Sequence, residues 1–310
     1  MNLTQDNINE FLNKYIDFVD DISFKFKYED NVRHLLYVII PAFIIKYGIN
    51  NENSVLKCFD TVRIHINKVE NKVITASFNR TLRKDSDGSY YTNKYISLND
   101  YKNASLTGLL DSIIHEYNHA MNSINNEITY DDKFVKIRTG LSFLIYDRKT
   151  LNFIKKSKEV FLEEIINTEQ TEEIMNIINS FNKFNIYNVE FNNMLFALKN
   201  EIKGDKYISN AYYFQSFICE ALMKNKTFTP TMSNLRFKGF VESIPSLFDD
   251  VIGKEGSYFR LCKLLEEIYD LEIKYSKSVI FKNRILAKLK NRAYEVIALI
   301  EDYDSKCIYK

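Results

Sequence analysis

The sequence predicts an α+β protein, with a small mixed or antiparallel sheet in the N-terminal half and a mostly helical C-terminal half. Three observations carry this. Val62 to Ile66 and Val73 to Phe78 alternate apolar and polar residues, as half-buried strands do, and Tyr90 to Leu98 can form another strand. Apolar residues recur at helical spacing through most of 174–310. Between these regions, Leu109, Leu110, Ile113, Ile114, Tyr117 and Met121 form one stripe of a helix. The organisation that follows is an N-terminal part, 1–173, and a helical C-terminal part, 174–310.

In chain order, Ile8 to Phe26 has helical spacing, and Val32 to Tyr47 forms a second helix, kinked or begun at Pro41. Ser54 to Phe59 adds a short turn of helix. The polar string Asn67 to Asn71 reads as a hairpin connection between the first two strands. Lys84-Asp85-Ser86-Asp87-Gly88 is a turn, after which Tyr90 to Leu98 forms a strand beside the Leu109–Met121 helix. We expect that strand to be an edge, open to an added extended peptide. Ser105 and Asn99-Asp100 offer caps for the helix. Val135 to Tyr146 turns sharply at Gly140, as a hairpin or bent strand. Arg148 to Lys158 is a basic, solvated face. Helices follow over Glu173 to Phe184, Val189 to Leu198, Ala211 to Met223, Tyr258 to Tyr269 and Ile280 to Tyr303. Phe228-Thr229-Pro230-Thr231 marks the clearest break, and Phe248-Asp249-Asp250 a second loop.

The 310 residues are 45% hydrophobic and 27% charged, with a formal net charge of +1. Such a chain can bury a sizeable core, and no global field directs it to nucleic acid or to a membrane. The four cysteines, Cys58, Cys219, Cys262 and Cys307, form no C-x-x-C pair and are expected to be thiols. The N-terminus has neither a basic nor an apolar leader segment, and the most apolar run, Leu35 to Ile45, is too short to span a bilayer. A cytoplasmic protein is the expectation.

Only four histidines occur, and two fall in Ser112-Ile113-Ile114-His115-Glu116-Tyr117-Asn118-His119-Ala120, an H-E-x-x-H string. On a helix, His115 and His119 share a face one turn apart, the arrangement that lets two imidazoles bind one Zn²⁺ ion. Glu116 can then reach a water on the same ion. Tyr117 lies off that face and belongs to the core. A catalytic zinc usually takes three protein ligands. His34 and His65 lie upstream. Asn122 and Asn125 stand where a glycine and a third histidine of the extended motif would fall. The third ligand is therefore a downstream carboxylate: Glu163 or Glu164, 44 and 45 residues after His119, with Asp131, Asp132 and Asp147 as weaker alternatives.

With these residues in view, the chain resembles a zinc metallopeptidase of the gluzincin type, with a zincin-like core. In that group a glutamate on a second helix completes the site. Leu162-Glu163-Glu164-Ile165-Ile166-Asn167 matches that string and puts Glu164 in the ligand place. Ile165 replaces the usual small residue, and Thr168 stands where an acid would orient the first histidine, leaving Asn167, Thr171 or Glu172 for that role. Arg138-Thr139-Gly140-Leu141 is also similar to a hairpin in bacterial members with this motif pair. The resemblance covers Tyr90 to Glu173. It implies hydrolysis of a peptide or protein substrate by metal-activated water, with Glu116 as general base. A tyrosine on a later helix, Tyr212 or Tyr213, would stabilise the oxyanion. The competing expectation is a non-catalytic binding or regulatory protein on a peptidase-like scaffold, acting through its helical half.

Overall fold

The computed structural model describes residues 3–67, 75–99, 105–202, 206–209 and 212–308. The fold is α+β, with a three-stranded mixed sheet, a four-stranded antiparallel sheet and helices around both. The chain divides into two compact units, Met1–Met121 with Gln170–Ser209, and Asn122–Glu169 with Asn210–Lys310. The sequence reading places one boundary at 173/174. Instead each unit is discontinuous, and residue 173 lies inside an unbroken helix. Local patterns mark where elements begin and end, but not which distant segments share a core.

The first unit opens with α1 (Gln5–Asn13), α2 (Ile16–Phe26), α3 (Asp30–Tyr47) and α4 (Glu52–Thr61). The first predicted helix is thus two, broken at Lys14-Tyr15. α3 continues unbroken through Pro41, so it does not begin there, and it is buried continuously from Leu35 to Ile44. Packing on every side offsets the roughly 3 kcal/mol that an interior proline costs.

The strands are β1 (Arg63–Asn67), β2 (Thr75–Lys84) and β3 (Tyr90–Asn99), in the order β1-β3-β2. This corrects two expectations. β1 and β2 are not a hairpin, because β3 lies between them, parallel to β1 and antiparallel to β2. The proposed connection, 68–71, lies outside the described residues. β3 is consequently the central strand, and β2 is an edge among the described residues. The real hairpin is β2–β3, closed at the Asp85–Gly88 turn with Gly88 at φ +89°. α5 (Leu106–Met121) and α7 (Val189–Glu201) complete this unit, together with the second half of α6 (Val160–Ser180).

The second unit holds β4 (Ile128–Tyr130), β5 (Phe134–Thr139), β6 (Ser142–Asp147) and β7 (Phe153–Lys156), paired in sequence order. The expected bend at Gly140 is the β5–β6 hairpin turn. The basic stretch after it includes β7, all four of whose residues are exposed. The first half of α6 joins α8 (Tyr213–Ile218), α9 (Glu220–Lys224), α10 (Phe228–Lys238), α11 (Ile244–Ile252), α12 (Ser257–Lys277) and α13 (Lys282–Ile308) in one apolar core. Phe248 and Tyr303 stack at its centre, 4.6 Å apart.

Both expected breaks in this half are helical. Pro230 is the third residue of α10, where its missing N–H removes no helical hydrogen bond. The break falls earlier, where Asn225 Oδ1 accepts the N–H groups of Thr227 and Phe228. Asp249 lies within α11, and its carboxylate accepts from Gly256 N and Tyr258 N at the start of α12. The polar pair reads as a loop because its partner segment is remote from local pattern.

All four cysteines are free thiols, and burial pushes Cys219 up to about 12. No single helix among the described residues is long and apolar enough to cross a membrane.

Candidate metal centre

The site is built on α5. Leu109, Leu110, Ile113, Ile114, Tyr117 and Met121 are all buried, so the predicted stripe is the packed face. Tyr117 is core, as its offset implies: its hydroxyl donates to Val62 O at 3.0 Å and its ring lies 4.2 Å from Phe59. The N-terminus of α5 is capped twice. Ser105 Oγ accepts from Gly108 N at 3.1 Å, and the Glu201 carboxylate at the end of α7 accepts from Leu106 N and Thr107 N. A carboxylate there satisfies orphan N–H groups and opposes the helix dipole. Burial pushes Glu201 upward, but the bonds from Thr107 and Leu106 outweigh it and hold the group below its ordinary value.

On the other face, the His115 and His119 rings lie 4.9 Å apart, centre to centre. His119 is buried and His115 half-buried. Glu116 is buried too, and its Oε2 accepts from Phe78 N of β2 at 2.6 Å. The third residue comes from α6. Its Gln170–Ser180 half belongs to the same unit as α5, where Asn118 Nδ2 donates to Thr171 Oγ1 at 3.2 Å. Glu164 is seven residues before Thr171 on the same unbroken helix, two turns back on the same face. The ligand atoms of His115, His119 and Glu164 all lie within 4.8 Å of one another.

These donors fit zinc in kind: two imidazoles and a carboxylate, with a fourth position for water.

Glu163 separates from Glu164 completely. It is 1% exposed, bound through both oxygens to the Arg236 guanidinium of α10, and Oε2 also accepts from Leu141 N at 2.7 Å. Gly140 makes room for it: a Cβ there would stand 2.1 Å from the carboxylate, at φ +54°. Arg138 closes the cluster, donating to the main-chain carbonyls of Asn122, Gly140 and Arg236. Burial draws the Arg138 guanidinium down to about 10, against the pull of Glu163. The Arg138–Leu141 stretch noted in sequence thus seats the neighbour of Glu164. Arg236 carries no sequence signal; it lies 73 residues from its partner.

The weaker ligand alternatives are occupied locally. Asp131 and Asp147 accept main-chain N–H groups in their own turns, and Asp132 pairs with Arg148. His34 pairs with Glu190, and His65 lies on β1 against Tyr95.

Sequence reasoning missed Asp111. It sits one turn before His115, accepts from Ser209 Oγ at 3.3 Å and interacts with the Tyr207 hydroxyl. Burial raises it above the ordinary carboxylate range, and His115, Ser209 and Tyr207 draw it partly back. Its i, i+4 spacing to His115 was the available signal. Of the expected outer groups, Thr171 bonds Asn118, and Glu172 accepts from Ser209 N at 2.9 Å. Tyr212 precedes α8 in the left-handed region, φ 49°, and belongs to the second unit. The side chain of Tyr213 lies outside the described residues. Within the first unit, Tyr207 adjoins α5 through Asp111, and the Tyr47 hydroxyl donates to Asn118 Oδ1 at 3.2 Å. No family model, curated protein or solved structure matches the chain.

Proposed function

We propose that this chain hydrolyses peptide bonds with a zinc ion held by His115, His119 and Glu164. The observation that carries the reading is the convergence of three zinc-type donors beside a buried carboxylate, Glu116, which a purely structural zinc site does not need. Zinc bound there supplies a Lewis acid that lowers the pKa of a water and polarises a carbonyl. Glu116 takes the water's proton and delivers it to the leaving amine, so protons balance over the cycle. Asp111 orients His115. A tyrosine hydroxyl, from Tyr207, Tyr212 or Tyr213, donates to the charge developing on the carbonyl oxygen.

The edge strand β2 supports a peptide as substrate. Its Phe78 N–H already meets Glu116, and alternation along the strand puts the main-chain groups of Ala76 and Arg80 on the same side. An extended peptide pairing there runs past the general base. Free cysteines suit the reducing cytoplasm.

Metal analysis of the purified chain and cleavage of a peptide library by wild type and Glu116→Gln test the proposal. Bound zinc and Glu116-dependent cleavage are expected. Bound zinc with no cleavage favours the binding-protein reading, and absence of zinc sinks both.

A further inference from the structure

The connection between α12 and α13 runs against the usual pattern. Hairpin tips are ordinarily polar. Here Val279, Ile280 and Phe281 are consecutive and 89%, 84% and 62% exposed. They are presented by an ordered turn, in which Ser278 N donates to Lys274 O and Ser278 Oγ accepts from Phe281 N. No residue from 269 to 288 is buried, so both helices carry this apex beyond the core of their own unit.

Charge segregates at the same place. Between Glu272 and Glu295 lie seven of the chain's 42 Lys and Arg and none of its 41 Asp and Glu. Arg292 is held by Glu267 and Glu295. The other six, Lys274, Lys277, Lys282, Arg284, Lys288 and Lys290, are exposed, and among the described residues none pairs with a carboxylate. Along α13, Lys288 sits roughly 9 Å behind Lys282 at the helical rise. The result is an apolar point with a cationic collar that starts beside it at Lys277 and Lys282 and runs back about two turns to Lys288 and Lys290.

We propose that this hairpin tip docks on an anionic phospholipid bilayer. The three apolar side chains enter the boundary between headgroups and acyl chains, and the collar meets the lipid phosphates. Long Lys and Arg stems let the charges stay at the phosphate plane while the tip goes deeper. Nucleic acid would satisfy the collar and leave the apolar point in water, so the layered order of the two features selects lipid. The near-neutral charge of the whole chain hides this local excess.

The test is co-sedimentation of the full chain with vesicles of phosphatidylcholine alone and with about one-third phosphatidylserine. We expect at least about tenfold stronger binding to the anionic vesicles, weakened by salt. Ile280→Asp with Phe281→Ser, and separately Lys277, Lys282, Arg284 and Lys288 all to Gln, should each reduce it about tenfold or more. These positions are exposed, and circular dichroism checks that both variants fold. Equal binding to both vesicles, no binding, or binding that neither variant changes overturns the proposal. So does a concentration-dependent dimer abolished by Ile280→Asp without vesicle binding, which assigns the tip to a second copy. Binding of RNA or DNA without vesicle binding overturns it as well.

Discussion

Oε2 of Glu116 accepts the main-chain N–H of Phe78 at 2.6 Å, which ties the proposed general base to the edge strand of the sheet. This bond orients the carboxylate and leaves Oε1 for proton transfer. Glu116→Gln keeps an acceptor for Phe78 and should retain metal, while lowering turnover by roughly 10²–10⁴-fold. Glu116→Ala should in addition lose about 1–2 kcal/mol of stability, because the Phe78 N–H loses its partner. Metal content, turnover and urea unfolding of the two variants separate these effects. Unchanged turnover in Glu116→Gln removes it from the mechanism.

Zinc should stabilise the fold, because its donors are drawn from two helices. At free zinc a thousandfold above Kd the linkage is about 4 kcal/mol, a Tm rise on the order of 10 °C. Chelation should reverse it in wild type. His119→Ala and Glu164→Ala should bind less zinc and show a smaller rise. Thermal scans with and without metal measure this directly, and identical curves would refute the ligand set.

The Glu163–Arg236 pair is buried, so breaking one side leaves an uncompensated charge. Glu163→Gln and Arg236→Met should each cost about 3–5 kcal/mol. Gly140→Ala should also be strongly destabilising, since its methyl would meet the Glu163 carboxylate in a backbone region unfavourable to alanine. Denaturant unfolding gives the values. The double variant Glu163→Gln/Arg236→Met should cost less than the sum of the singles, the sign of direct coupling.

Glu201 makes the start of α5 acid-sensitive. Its folded-state pKa lies below the ordinary 4.5. The unfolded chain therefore binds this proton more readily, and the stabilisation is present above 4.5 and lost as pH falls through the folded value. Glu201→Gln should be less stable than wild type at neutral pH, with the gap closing in acid. Unfolding midpoints measured from pH 3 to pH 7 test the sign; a gap that widens toward low pH contradicts it.

Legibility in the sequence differed from element to element for physical reasons. The α5 stripe, the Gly140 turn and the Asp85–Gly88 turn are local: helical period, a left-handed glycine and turn chemistry each act over a few residues. Strand order is not local. The polar string after β1 resembles a hairpin loop, but pairing energy comes from β3, which sits between β1 and β2. The supposed breaks at Pro230 and Asp249 failed for a related reason. Proline is compatible with a helix's first turn, and the Asp249 carboxylate serves the next helix.

What the sequence determined by itself was the α+β class, the helix carrying His115, Glu116 and His119 on its i, i+4 spacing, and a carboxylate pair downstream. Tertiary structure decided the rest. Periodicity cannot rank two adjacent glutamates, because either can face a metal until something claims the other. Arg236, Leu141 N and the space over Gly140 claim Glu163, which leaves Glu164 as the proposed ligand. That choice depends on a charge 73 residues away, which only the folded chain brings within reach.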